Sequence, residues 1–201
     1  VTAPLDWADP TAGEIELAVI RQRARDGQSQ GSLLTNPGGP GSSGFDFIRD
    51  SIDYGLGAAL RRSYDVIGFD PRGVGRSTAV TCFDAAEMDA YLFGIPVGDR
   101  NSPAWIDEVV ADSKTFAAAC EDNSDGILGF IDTQSAARDL DLLRGVLGDT
   151  KLNYLGFSYG TFLGATYAEL FPERVGRFVL DGALDPSLSV DEISALQMRG
   201  L

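Results

Sequence analysis

The 201-residue sequence contains no histidine. That absence removes the most common side-chain general base and the most common metal-ligating nitrogen. Lysine is limited to Lys114 and Lys151, and cysteine to Cys82 and Cys120. Two cysteines without histidine supply half a zinc shell at best, so neither a metal nor any other cofactor is expected. Taken alone, the pair fits either a disulfide or two buried thiols. No run of about 18 uncharged apolar residues occurs, so no membrane-spanning helix is expected. The opening Val1-Thr2-Ala3-Pro4 has neither a basic nor an apolar leader, as in a chain whose signal peptide is absent or removed. Basic residues number 16 against 30 acidic, for a net charge of −14. Such a surface repels phosphate backbones and anionic lipid, which argues against nucleic acid and membrane surfaces as partners.

What is present is ordinary globular composition, 44% apolar and 23% charged, in a chain long enough for one domain with its own core. Glu14 to Ile20 alternates in polarity and reads as a strand toward the edge of a sheet. Ser32–Thr35, Asp65–Phe69, Leu152–Phe157 and Arg177–Leu180 are short apolar runs of the buried-strand type. Between them lie helical patterns. Ala136, Leu140, Leu143 and Leu147 recur at helical spacing before Gly148, and the stretches Trp105–Cys120 and Tyr159–Phe171 are also helical. This alternation implies a mostly parallel sheet with helices on both faces. Residues from about 79 to 123 exceed what a simple crossover needs and read as an excursion carrying both cysteines.

Two motifs carry chemistry. Gly156-Phe157-Ser158-Tyr159-Gly160 fits G-x-S-x-G directly after a strand and directly before an apolar helix. A nucleophilic serine uses that sharp turn to project its hydroxyl above the sheet, and the helix N-terminus favours a developing negative charge. The second is Asn36-Pro37-Gly38-Gly39-Pro40-Gly41 at the end of a strand, where hydrolases aim a backbone N–H at the oxyanion. A phosphate-binding loop fails on spacing, since there is neither G-K-[ST] nor a G-x-G-x-x-G opening a helix.

Together with Phe69-Asp70-Pro71-Arg72-Gly73-Val74-Gly75-Arg76-Ser77, the Asp139-to-Arg144 stretch and Leu180-Asp181-Gly182, these motifs resemble the tripeptidyl and prolyl aminopeptidase branch of the α/β-hydrolases. The likeness is greatest to its secreted bacterial members. It implies an α/β-hydrolase fold, with roughly the first six strands of the family's sheet present. It implies Ser158 as nucleophile, with the Gly39 and Tyr159 amides as the oxyanion hole. Asp70 and Arg72 take the place of the family's scaffolding Asp-x-Arg-Gly. Export favours the disulfide reading of Cys82 and Cys120 and an extracytoplasmic location. Asp181 reads as a buried carboxylate bonding backbone N–H groups near the site, rather than as the catalytic acid.

The family's acid and base follow the nucleophile, yet no histidine follows Ser158. The expectation is therefore that residues 1–201 are the nucleophile-bearing part of one hydrolase domain, with a lid beginning at about 186. A second polypeptide or C-terminal segment would supply the Asp and His. The expected activity is that of an exopeptidase acting on peptide N-termini by acyl-enzyme chemistry. An esterase or lactone hydrolase, and a non-catalytic binding protein, are the alternatives.

Overall fold

The computed structural model describes residues 1–25 and 27–199. Two compact units divide the chain, one made of residues 1–78 and 130–201, the other of residues 79–129.

In the first unit, β1 (Thr2–Pro4) and β2 (Glu14–Glu16) form a separate antiparallel ribbon. The main sheet has five strands: β3 (Val19–Gln22), β4 (Ser32–Asn36), β5 (Asp65–Phe69), β6 (Leu152–Phe157) and β7 (Val175–Asp181). Their order is β3-β5-β4-β6-β7, with β3 antiparallel and the other neighbours parallel. Of the roughly six strands expected in one sheet, five are there. The single run expected over Glu14–Ile20 is broken because the chain changes partners at its middle. Leu17 N–H bonds the Val1 carbonyl at 2.7 Å, whereas Ala18 N–H bonds Ser77 Oγ at 2.9 Å.

Both faces of the sheet are covered, and strand alternation decides which residue goes where. Leu34, Ile67, Phe69 and Tyr154 pack with Ala136, Ala137, Leu140 and Leu143 of α5 (Thr133–Val146) and with Leu163 and Tyr167 of α6 (Tyr159–Leu170). Their neighbours Leu33, Val66 and Leu155 pack on the other side with Ile48 and Ile52 of α1 (Gly44–Gly55). A short helix, α2 (Ala58–Ser63), leads into β5. The last helix, α7, runs Val190–Arg199; the end of the expected lid segment, Gly200 and Leu201, lies outside the described residues. No helix of the described residues is long and apolar enough to cross a membrane.

The unit of residues 79–129 contains α3 (Ala85–Phe93) and α4 (Pro103–Asn123). A disulfide joins Cys82 to Cys120. Ser124 Oγ accepts from the Thr81 N–H at 3.1 Å and donates to the Thr81 carbonyl at 2.8 Å, which fastens the same two ends.

Candidate active site

The sheet order places a crossover reversal between β4 and β6, because β4 leads to β5 on one side while β6 leads to β7 on the other. In open parallel sheets the crevice at such a point, beyond the carboxyl ends of the strands, is where ligands bind. Both glycine-rich motifs end there.

Ser158 follows β6 and is the N-cap of α6, at φ 51° and ψ −120°. A positive φ in a residue with a Cβ costs of order 1–3 kcal/mol and persists only where the surroundings enforce it. Three contacts do so. The Ser158 N–H donates to the Asp181 carbonyl at 2.9 Å. The Ser158 carbonyl accepts from Thr161 through both its N–H, at 2.9 Å, and its hydroxyl, at 2.7 Å. The buried Tyr154 hydroxyl donates to the Gly160 carbonyl at 2.8 Å. Strand and helix pass so closely that a Cβ at Gly156 would lie 2.4 Å from the Gly160 carbonyl oxygen, and one at Gly160 would lie 2.7 Å from that of Asn36. The elbow turn therefore requires its glycines, while Ser158 itself remains exposed.

The loop after β4 lies over this turn. Asn36 Oδ1 accepts the Gly38 N–H at 2.9 Å, and Gly38 sits at φ 108° with its Cα so close that an added Cβ would be 3.0 Å from Ser158 Cβ. Among the described residues neither the Gly39 nor the Tyr159 amide N–H makes a hydrogen bond. Both residues line the same cavity of about 420 Å³ as Ser158, with Pro40, Thr133, Phe162 and residues of the 184–197 segment. The Tyr159 hydroxyl pairs with Thr133 Oγ1 at 2.8 Å. Burial pushes that phenol above its ordinary range, against the pull of Thr133. Among the described residues, no charged side chain lines this cavity.

Asp70 and Arg72 both stand behind the site, fully buried, with separate partners. The Asp70 carboxylate accepts from the Ser43 hydroxyl, from Phe45 N–H at 3.1 Å and from Arg76 N–H at 2.9 Å. Since Ser43 caps α1 immediately after the glycine-rich loop, Asp70 fixes where that loop ends. Arg72 uses all five guanidinium N–H groups. Two reach Asp139, both at 2.7 Å, and three reach the carbonyls of Pro4, Leu5 and Phe130 at 2.9–3.1 Å. Asp139 also accepts the Trp7 indole N–H at 3.0 Å. Burial pushes the Asp139 carboxyl up from its ordinary range, opposed by Arg72 and Trp7.

Asp181 departs from expectation. It is exposed rather than buried, and it touches the elbow through its backbone carbonyl. It ends β7, the edge strand, where no further strand pairs among the described residues and Val179 and Leu180 are 56% and 37% exposed. Two parts of the site carried no signal in the sequence. Thr133 and the 184–197 wall act through tertiary contacts that no local motif encodes.

The profile of the alpha/beta hydrolase fold family matches residues 31–199, which include every element of this site. The chain belongs to that family. Among curated relatives of this hydrolase, a tripeptidyl aminopeptidase of Streptomyces coelicolor is 41% identical over 190 residues, covering 93% of this chain and 35% of the relative. Serine protease Hip1 of Mycobacterium tuberculosis is 39% identical over 202 residues, covering 100% of this chain and 38% of the relative. Carboxylesterase B of the same species is 45% identical over 202 residues, with the same coverage. The chain thus spans little more than a third of the length of the relatives it matches.

Proposed function

We propose that this hydrolase is a serine exopeptidase that releases short peptides from substrate N-termini through an acyl-enzyme. The observation that carries the reading is Ser158: an exposed hydroxyl on a turn at φ 51°, at the N-terminus of α6, beneath a loop with an unpaired amide. In this reading Ser158 Oγ attacks the scissile carbonyl. The Gly39 and Tyr159 N–H groups hold the oxyanion, aided by the partial positive charge at the start of α6. The leaving amine takes a proton and departs, and water then releases the acyl group. Serine at its free pKa is a poor nucleophile and requires a base, and none of these residues is histidine. The imidazole and its acid partner therefore come from residues outside this sequence. Asp70 and Arg72 serve as scaffold. The disulfide, and the absence of any other cysteine, fit an oxidising, extracytoplasmic compartment.

The peptidase names of two relatives favour peptide substrates, and the esterase name of the third favours esters; the same site geometry serves either acyl transfer. Matched peptides with a free and an acetylated N-terminus separate the readings. An exopeptidase cleaves the free peptide, leaves the acetylated one intact, and loses both peptide and ester turnover in Ser158→Ala. Equal cleavage of both peptides, or ester turnover alone, would refute the exopeptidase assignment.

A further inference from the structure

We infer that the segment from Leu184 to Gln197 is the wall that selects the acyl group, and that the residue acylating Ser158 carries an uncharged, apolar side chain. The inference rests on the reading of Ser158 as nucleophile and adds the substrate class that its cavity accepts.

The wall is fixed to the elbow by a short chain of hydrogen bonds. Thr161 Oγ1 donates to the Ser158 carbonyl at 2.7 Å and accepts the Leu184 N–H at 2.9 Å. Leu184 is therefore held one side chain away from the nucleophile's own backbone. The chain then enters α7 through a reciprocal cap, in which Ser189 Oγ accepts the Glu192 N–H at 3.3 Å and Glu192 Oε2 accepts the Ser189 N–H at 2.8 Å. That cap sets the rotation of the helix. Ile193, Ser194 and Gln197 line the cavity, while Leu196 and Met198 point away, 52% and 73% exposed. It also engages the Glu192 carboxylate at the helix start.

What lines the cavity decides what enters it. Phe162, Leu184, Leu188 and Ile193 are half-buried apolar side chains around Ser158. The polar lining is neutral, and the Tyr159 hydroxyl already has Thr133 as partner. Among the described residues, no charged side chain contributes to this surface. A volume of about 420 Å³ accepts one large side chain with its adjoining backbone. A cationic or anionic side chain placed there would lose its water and find no counter-ion among the described lining residues. An apolar one exchanges water for Phe162, Leu188 and Ile193.

The test uses tripeptide p-nitroanilides that differ only in the residue bearing the anilide, with Leu, Lys or Glu there, on the intact protein with its complete catalytic set. Active sites are titrated with a fluorophosphonate in every preparation. The expected kcat/KM for the Leu substrate exceeds that for Lys and Glu by at least about tenfold. Ile193→Asp supplies the missing counter-charge and shifts the Lys-to-Leu ratio upward by at least about tenfold. Ile193→Asn, equally polar but uncharged, lowers Leu turnover without raising Lys. Wild type that turns over Lys or Glu as well as Leu overturns the inference, as does an Ile193→Asp variant that titrates fully yet leaves the ratio unchanged. Should Ile193→Asp fail to fold, the wild-type panel and Leu188→Ala, which should reduce Leu turnover most, still decide. Wild type that is not labelled at Ser158 would instead remove the nucleophile reading beneath it, so the two failures are distinguishable.

Discussion

Two polar centres of the same unit, about the elbow and about Arg72, are built on opposite principles. Arg72 and Asp139 have no exposed side-chain surface, and every guanidinium N–H has an acceptor. At the elbow Ser158 is exposed, its backbone is held in a costly conformation, and two neighbouring amides have no acceptor among the described residues. A satisfied, buried polar group is a device for stability, whereas an unsatisfied one beside a cavity is available to a ligand. In the sequence both are polar residues beside glycines after a strand, told apart only by the motif each sits in. The account of partners gives that distinction its physical content.

The sharpest way to break the comparison is to remove one group from each centre. Ser158→Ala should lower peptidase or esterase turnover by at least about 10³-fold, while the unfolding free energy from urea denaturation stays within about 0.5 kcal/mol of wild type. A comparable loss of stability would mean that the serine is structural. Asp139→Ala should do the reverse. It leaves a buried guanidinium without its ion partner, at a cost of about 3–5 kcal/mol, while fluorophosphonate labelling per folded molecule is unchanged. Labelling that falls with no loss of stability would place Asp139 in the chemistry.

Removing the cysteine pair extends the comparison to residues 79–129. There α3 has no buried residue and α4 buries only Cys120, whereas α5 buries six. Where a core is thin, a covalent link replaces it. Closing a loop of about 40 residues contributes about 4 kcal/mol in the chain-entropy model. Cys82→Ser with Cys120→Ser should therefore abolish hydrogen-exchange protection in α3 and α4 and leave β4 to β7 protected. Uniform loss across both units would show that the bond supports the whole chain.

Acid provides a graded test. Burial alone would raise the Asp141 carboxyl, but Arg144, the Tyr167 hydroxyl and Arg174 outweigh it and hold the group below the ordinary range. Asp132 and Asp65 are lowered as well, each by hydrogen bonds that outweigh burial. A carboxyl whose folded pKa is depressed contributes stability above its unfolded value, near 4, and that contribution is lost as pH falls through the folded value. Stability should thus decline below about pH 4, less steeply in Asp141→Asn. The smallest effect belongs to Tyr159→Phe, which removes the contact to Thr133 and should cost about 1 kcal/mol by urea denaturation.

Which of these features were legible in the sequence follows from how local they are. Ser158, Gly39 and Tyr159 sit in contiguous motifs between a strand and a following element, so strand, turn and helix could be read directly. The buried strands were legible for the same reason, since short runs of apolar residues bounded by turn residues leave little choice. The Arg72–Asp139 pair joins residues far apart in the chain, and its quality depends on three carbonyls that no side-chain pattern records. Asp181 was misjudged because its environment depends on whether another strand lies beside β7. The wall at 184–197 is a surface segment by composition, and becomes a pocket lining only through Thr161 and the Ser189 cap.

The central claim is that Ser158 is a nucleophile whose base lies outside these residues. The most direct measurement is peptide mapping after fluorophosphonate treatment of the intact protein and of residues 1–201 prepared alone. The account predicts one adduct, on Ser158, in the intact protein, absent from Ser158→Ala and slowed by orders of magnitude in residues 1–201. An adduct on another residue, or equally rapid labelling of residues 1–201 by themselves, would contradict it.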